Sequence, residues 1–151
     1  MVEALKLAKE AYNDGEIPVG AVIVKDGKII AKGKNCREKK QNALLHAEIE
    51  AINAACEAIG SWRLDGCTIY VTLEPCIMCM GAILNARIDT LVFGAYDLEA
   101  GCADSLMNPN VTFKSSNINI YGGISEGECS KLIKDFFGSV RKNEKPKGNN
   151  N

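Results

Sequence analysis

Apolar residues along this chain recur first at helical and then at strand spacing, and the alternation continues almost to its end. Over residues 2–13, Leu5, Ala8, Ala11 and Tyr12 share one helical face, and Asn13-Asp14-Gly15 supplies the stop. Val19 to Lys25 is an apolar, β-branched run that reads as a strand. Asp26-Gly27 is the strongest short hairpin signal, so Lys28 to Lys34 is expected to return as a second strand. A helix from His46 to Ile59 carries Ile49, Ile52, Cys56 and Ile59 on one face and ends at Gly60. Thr68 to Thr72 is a short strand. Pro75 opens a helix from about Cys76 to Asn85, since the N–H it lacks would go unpaired in a first turn. Leu91 to Gly94 and Ile118 to Tyr121 read as strands, with irregular chain over 95–117. Ser125 is expected to cap a last helix running to Lys142, with Glu128 as its capping-box partner. Roughly five strands and four or five helices imply a sheet covered by helices.

Length and composition narrow the picture. A chain of 151 residues suits one domain, here placed at 1–142, followed by a disordered basic tail over 143–151. With 46% hydrophobic and 25% charged residues, disorder is excluded for most of the length. No apolar run is long enough to cross a membrane as a helix. Met1 to Lys6 mixes acid and base and does not resemble an export signal, so a cytoplasmic location is expected. In that reducing setting the seven cysteines are expected as thiols or metal ligands. Cys56 and Cys67 read as core, Cys36, Cys102 and Cys129 as partly exposed, and Trp62 as packed against the sheet.

Net charge is −1, but the charges are segregated. Residues 25–40 hold seven bases against two acids, and residues 131–151 six against two. Between them, residues 41–130 hold three bases against eleven acids. If the two basic stretches lie together, they form a positive surface suited to phosphate.

The candidate chemistry sits in His46-Ala47-Glu48 and Pro75-Cys76-Ile77-Met78-Cys79. The single histidine opens one expected helix, and two cysteines three apart open another, where that spacing puts both thiols on one face. A helix N-terminus favours thiolate. One imidazole and two thiolates are three of the four ligands that zinc prefers, which leaves a place for water as a catalytic site requires. Zinc lowers the pKa of such a water from about 15.7 toward about 7. Glu48 is the candidate proton carrier. At about 100° per residue it would point about 160° away from His46 in a regular helix. The two converge only if the helix start or the side-chain length brings Glu48 round. Either half of the pattern alone has bland readings, a capping histidine or a redox or structural cysteine pair. The joint pattern H-x-E with P-C-x-x-C is a signature of zinc-dependent nucleobase deaminases.

The chain resembles the bacterial tRNA-specific adenosine deaminases of the cytidine and deoxycytidylate deaminase superfamily. The resemblance runs from the first helix to about Arg141. It is carried by Glu16 to Val22, by His46-Ala47-Glu48 and by Tyr70 to Cys76 continuing to Cys79-Met80-Gly81-Ala82, with weaker support from 93–95, 105–107 and 135–137. It implies a three-layer α/β/α sandwich with a five-stranded mixed sheet, one zinc ion per subunit, a homodimer, and the wobble adenosine of a transfer RNA anticodon loop as substrate, converted to inosine. By matching position, His46, Cys76 and Cys79 would hold the metal and Glu48 would move protons. Asn35 would hydrogen-bond the flipped base, Val19 would line its pocket, and the Ala47 backbone N–H would contact its edge. The chain departs from the family pattern at Asn42 to Leu45, at Glu99 where lysine is frequent, and at Phe113 to Ser116. Two rivals remain: a deaminase of a free base or nucleotide (cytosine, deoxycytidylate or guanine), and a zinc module that binds RNA without chemistry.

Overall fold

The computed structural model describes residues 1–143. In chain order the elements are α1 (Val2–Asn13), β1 (Gly20–Lys25), β2 (Lys28–Lys34), α2 (Arg37–Lys40), α3 (Ala47–Ile59), β3 (Cys67–Leu73), α4 (Ile77–Asn85), β4 (Thr90–Ala95), α5 (Pro109–Thr112), β5 (Asn119–Tyr121) and α6 (Glu126–Asn143). One five-stranded sheet runs in the order β2-β1-β3-β4-β5. β1 is antiparallel to both β2 and β3, whereas β3, β4 and β5 are parallel, so the sheet is mixed. Helices α3 and α4 cover one face and α1 and α6 the other, giving the expected α/β/α layering. The tail expected over 143–151 lies, Asn143 excepted, outside the described residues.

Local chemistry explains the turns and the layers. Asp26 and Gly27 both take positive φ, 49° and 74°, as the twist of a two-residue hairpin between β1 and β2 demands. Register then places Ala21 beside Val71 and Ile23 beside Ile69, and continues to Leu91 and Phe93 on β4. These side chains meet Ala47, Ala51, Ala55, Met80 and Ile83 of α3 and α4 in the main core. Small residues bring the helices close. A Cβ on Gly33 would fall 2.2 Å from the Ala47 carbonyl oxygen and 2.5 Å from the Ala51 nitrogen of α3. A Cβ on Gly20 would fall 2.1 Å from the Ala4 carbonyl oxygen of α1 on the other side. Glycine at both positions is therefore a requirement of the layer spacing.

Several local expectations fail for physical reasons. Pro75 lies outside the first turn of α4: Cys76 is the N-cap, and the Pro75 carbonyl accepts the Cys102 N–H at 2.8 Å. Ser125 takes φ 56°, a left-handed backbone unlike the extended N-cap, and among the described residues no side-chain hydrogen bond closes the expected capping box with Glu128. Cys36, Cys102 and Cys129 are buried rather than partly exposed. The Cys129 thiol occupies space left by Gly94, where a Cβ would fall 2.3 Å from its sulfur. Trp62 is 60% exposed, with the Arg63 guanidinium over its ring, because Leu64 takes the buried position after the α3 stop. The basic stretch 25–40 is largely answered locally: Lys34 meets Glu10 and Asp14, Lys39 meets Asp14, Lys40 meets Glu50, and Lys32 meets Glu3. It lies along β2 and α2, while α6 covers β3 and β4, so the two basic stretches do not merge in one face. Among the described residues, no helix is long and apolar enough to cross a membrane.

Candidate active site

Helices α3 and α4 start at neighbouring points, and each start carries a ligand-type side chain. His46 is the N-cap of α3 with φ −71° and ψ 158°; Cys76 is the N-cap of α4 with φ −71° and ψ 173°. Both residues are extended, outside the helical turn they precede. That backbone swing resolves the offset between His46 and Glu48. The turn of about 100° per residue does not apply across an extended N-cap, so both residues line one cavity. The same device brings Cys76 toward Cys79, which lies inside the first turn of α4. His46 Nδ1 is 3.6 Å from the Cys76 Sγ and 3.5 Å from the Cys79 Sγ. The three donor atoms all lie within 4.8 Å of one another.

The electrostatics follow from burial and from two helix N-termini aimed at the cluster. Hydrogen bonding from Cys79 and then from His46 outweighs burial and holds the Cys76 thiol down, at about 4. Cys79 is pushed up, first by its hydrogen bond to Cys76 and then by burial, so the thiol pair carries one negative charge. That charge, through its hydrogen bond, raises His46 above an ordinary imidazole. The unpaired N–H groups of the α3 and α4 starts favour it as well. Glu48 is 4% exposed, and burial pushes its carboxyl up to about 7. A carboxyl at that value gives and takes protons near neutral pH.

The donor set suits a metal. One imidazole nitrogen and two sulfurs are zinc-type ligands, and the cluster found among the described residues has three members, as in an open catalytic set. A cavity of about 180 Å³ opens beside it. Val19, Asn35, His46, Ala47, Glu48 and Cys76 all line it, and Cys79 lies behind at its base. Asn35 is held in place from both ends. Its side-chain nitrogen donates to the Ile17 carbonyl at 3.3 Å, and its side-chain oxygen accepts the Arg37 N–H at 3.3 Å. Ala47 is the first residue of α3, so its N–H has no intrahelical partner.

Sequence reasoning did not single out the residues that shape the walls. Asp97, Ala100, Leu73 and Glu74 line the cavity on one side, and Ile17 and Arg37 on the other. Glu16, 1% exposed, accepts the N–H groups of Glu38 and Lys39 at 3.2 and 2.7 Å and so anchors α2 beside Asn35. Glu74 plays the equivalent part for the segment after Tyr96. Burial raises its carboxyl, but hydrogen bonds from Ser105, Asp97 and Asp104 outweigh this and hold it below the ordinary carboxylate range. The one signal available beforehand was that both glutamates fall inside apolar motif stretches, where a charge is out of pattern.

Comparison with known proteins places this geometry among deaminases. The MafB19-like deaminase family matches residues 1–141. A tRNA-specific adenosine deaminase of Bacillus subtilis is 45% identical over 149 residues, covering 96% of this chain and 91% of its own. A solved structure from studies of A-to-I editing by tRNA:A34 deaminases at the wobble position of transfer RNA superposes with a TM-score of 0.82 at 40% identity, covering 85% of this chain and 94% of that one. The guanine deaminase of Bacillus subtilis superposes with a TM-score of 0.62 at 34% identity, covering 96% and 94%.

Proposed function

Because the chain belongs to the tRNA-specific adenosine deaminase family, we propose that it hydrolyses the wobble adenosine of a transfer RNA anticodon to inosine. The observation that carries this reading is the meeting of His46, Cys76 and Cys79 at two helix starts, with the buried Glu48 carboxyl on the same cavity. The proposal includes one zinc ion per subunit on those three donors. Bound there, zinc would supply the Lewis acidity that makes water a nucleophile near neutral pH.

The chain's own groups do the rest. Glu48 takes a proton from the attacking water and delivers it to adenine N1. Water oxygen adds to C6, and Glu48 then protonates the amino nitrogen. The C6–N bond breaks, ammonia leaves, and the C6 oxygen remains as the carbonyl of inosine. Asn35, fixed by Ile17 and Arg37, presents its amide to the base. Val19 packs on the ring, and the Ala47 N–H meets its edge. A cavity of about 180 Å³ admits one base but no duplex, so the target must be splayed from a loop. The same reading takes residues 1–142 as a single cytoplasmic deaminase domain and a second copy of the chain as its partner. Ile77, 66% exposed at the start of α4, is the kind of apolar side chain a second copy would cover.

Inosine content of an anticodon stem-loop after incubation, read by mass spectrometry beside ammonia release from free bases, tests the substrate. Inosine in the RNA is the expected result. Guanine deamination has support in the resemblance to the Bacillus subtilis guanine deaminase. Ammonia from free guanine with no inosine in the RNA would establish that alternative.

A further inference from the structure

A second buried carboxylate stands beside the site and takes no part in the chemistry above. Glu74 is 2% exposed and immediately precedes Pro75-Cys76. Among the described residues its hydrogen-bond partners all belong to one loop, 97–105. One oxygen, Oε1, accepts the N–H groups of Ala103 at 3.1 Å, Asp104 at 2.7 Å and Ser105 at 2.8 Å. The other, Oε2, accepts the Asp97 N–H at 3.0 Å and the Ser105 hydroxyl. The loop closes tightly over this group: a Cβ on Gly101 would fall 2.3 Å from Oε2. A further tie runs from the Cys102 N–H to the Pro75 carbonyl, at 2.8 Å.

This loop is irregular chain, and what orders it is an acceptor with no proton to offer. A carboxylate accepts at all of its lone pairs, whereas a carboxamide of the same shape would turn an N–H donor against donors. Asp97 and Ala100, at the loop's start, line the cavity that receives the base. Glu74 itself lies one residue before the Pro75-Cys76 pair. A single side chain therefore ties the wall of the base pocket to the segment that bears a metal-type ligand.

We propose that Glu74 is a positioning residue that holds loop 97–105 as the wall receiving the target nucleotide, and so governs how tightly substrate binds rather than how fast it reacts. The proposal rests on the deaminase reading above, but its test separates the two.

The test compares wild type, Glu74→Gln and the milder Ser105→Ala as zinc-loaded protein, with an anticodon stem-loop as substrate. Metal content, steady-state kinetics and hydrogen exchange of the 97–105 amides are measured for each. Glu74→Gln is expected to retain one zinc per subunit and to exchange these amides faster. Its KM is expected to rise about tenfold or more, as the loss of charge-assisted hydrogen bonds implies. Its kcat should stay within about threefold, the pattern of lost binding rather than lost transition-state contact. Ser105→Ala should move KM and exchange in the same direction by less, and it carries the test if Glu74→Gln fails to fold. A fall in kcat at constant KM, loss of zinc, or unchanged KM and exchange in both variants would overturn the proposal. Wild type that leaves the stem-loop unconverted would refute the substrate instead; KM would then be read on the free base that releases ammonia.

Discussion

Gly33 on β2 offers a way to displace the catalytic helix without touching a catalytic side chain. A methyl group there would stand 2.2 Å from the Ala47 carbonyl oxygen, against 3.4 Å or more for ordinary contact. Backbone, not a flexible side chain, is what it meets, so strand and helix must part by about 1 Å, at a cost of about 1–3 kcal/mol for an overpacked core. Ala47 lies between His46 and Glu48, so the start of α3 moves with it. Misplacing catalytic groups by about 1 Å costs about a hundredfold in rate. Gly33→Ala should therefore lose stability in urea unfolding and lose kcat/KM on the stem-loop by that order. Gly20→Ala is the control. Its methyl group meets α1 at 2.1 Å, a comparable clash with a helix that carries none of the cavity residues. It should lose similar stability and keep most of its turnover. Equal losses of activity in the two variants, measured well below their unfolding midpoints, would refute the claim that helix position at Gly33 sets catalysis.

Other outcomes follow from the site. Glu48→Ala should keep zinc and the fold, as read by metal analysis and circular dichroism, and lose turnover by about a hundredfold to ten-thousandfold. Cys76→Ala should release the metal on dialysis; retention at one ion per subunit would remove Cys76 from the ligand set. Stability of metal-free protein should fall as pH rises from 4.5 toward about 7, because unfolded Glu48 sheds its proton at the lower value and the buried carboxyl keeps it until the higher. Glu48→Gln should abolish that slope and be the more stable form at pH 8 by up to about 3 kcal/mol in urea unfolding. Neutralising Lys34, Lys39 and Lys40 together should flatten the salt dependence of RNA binding by at most about two units of slope, since each lysine replaces about one counterion.

The parts of the site legible in the sequence were those whose residue types are scarce and chemically committed. His46 is the single histidine of the chain, and Cys76 and Cys79 carry the spacing of a helix start. Glu48 was legible as a candidate, but its convergence with His46 depended on an extended N-cap, a dihedral that residue type alone does not set. The pocket walls were hidden because their order comes from Glu16 and Glu74 accepting backbone N–H groups 22 to 31 residues away along the chain. Strands, hairpin and main helices followed from periodicity and turn chemistry. Side-chain burial followed less well: Trp62 is apolar yet outside because Leu64 already fills the space, and Cys129 is inside because Gly94 leaves room.

The stretch between Asn35 and His46 departs and returns at one point, where the Leu45 carbonyl accepts the Cys36 N–H at 3.2 Å. Its neck is pinned, and both residues that matter to the base lie outside it. Its interior is thus an excursion whose length and wording can drift over generations while the reaction is left alone. The unusual run from Asn42 to Leu45 costs the chemistry nothing on this view, and the excursion is where the enzyme is freest to be retuned toward a different RNA.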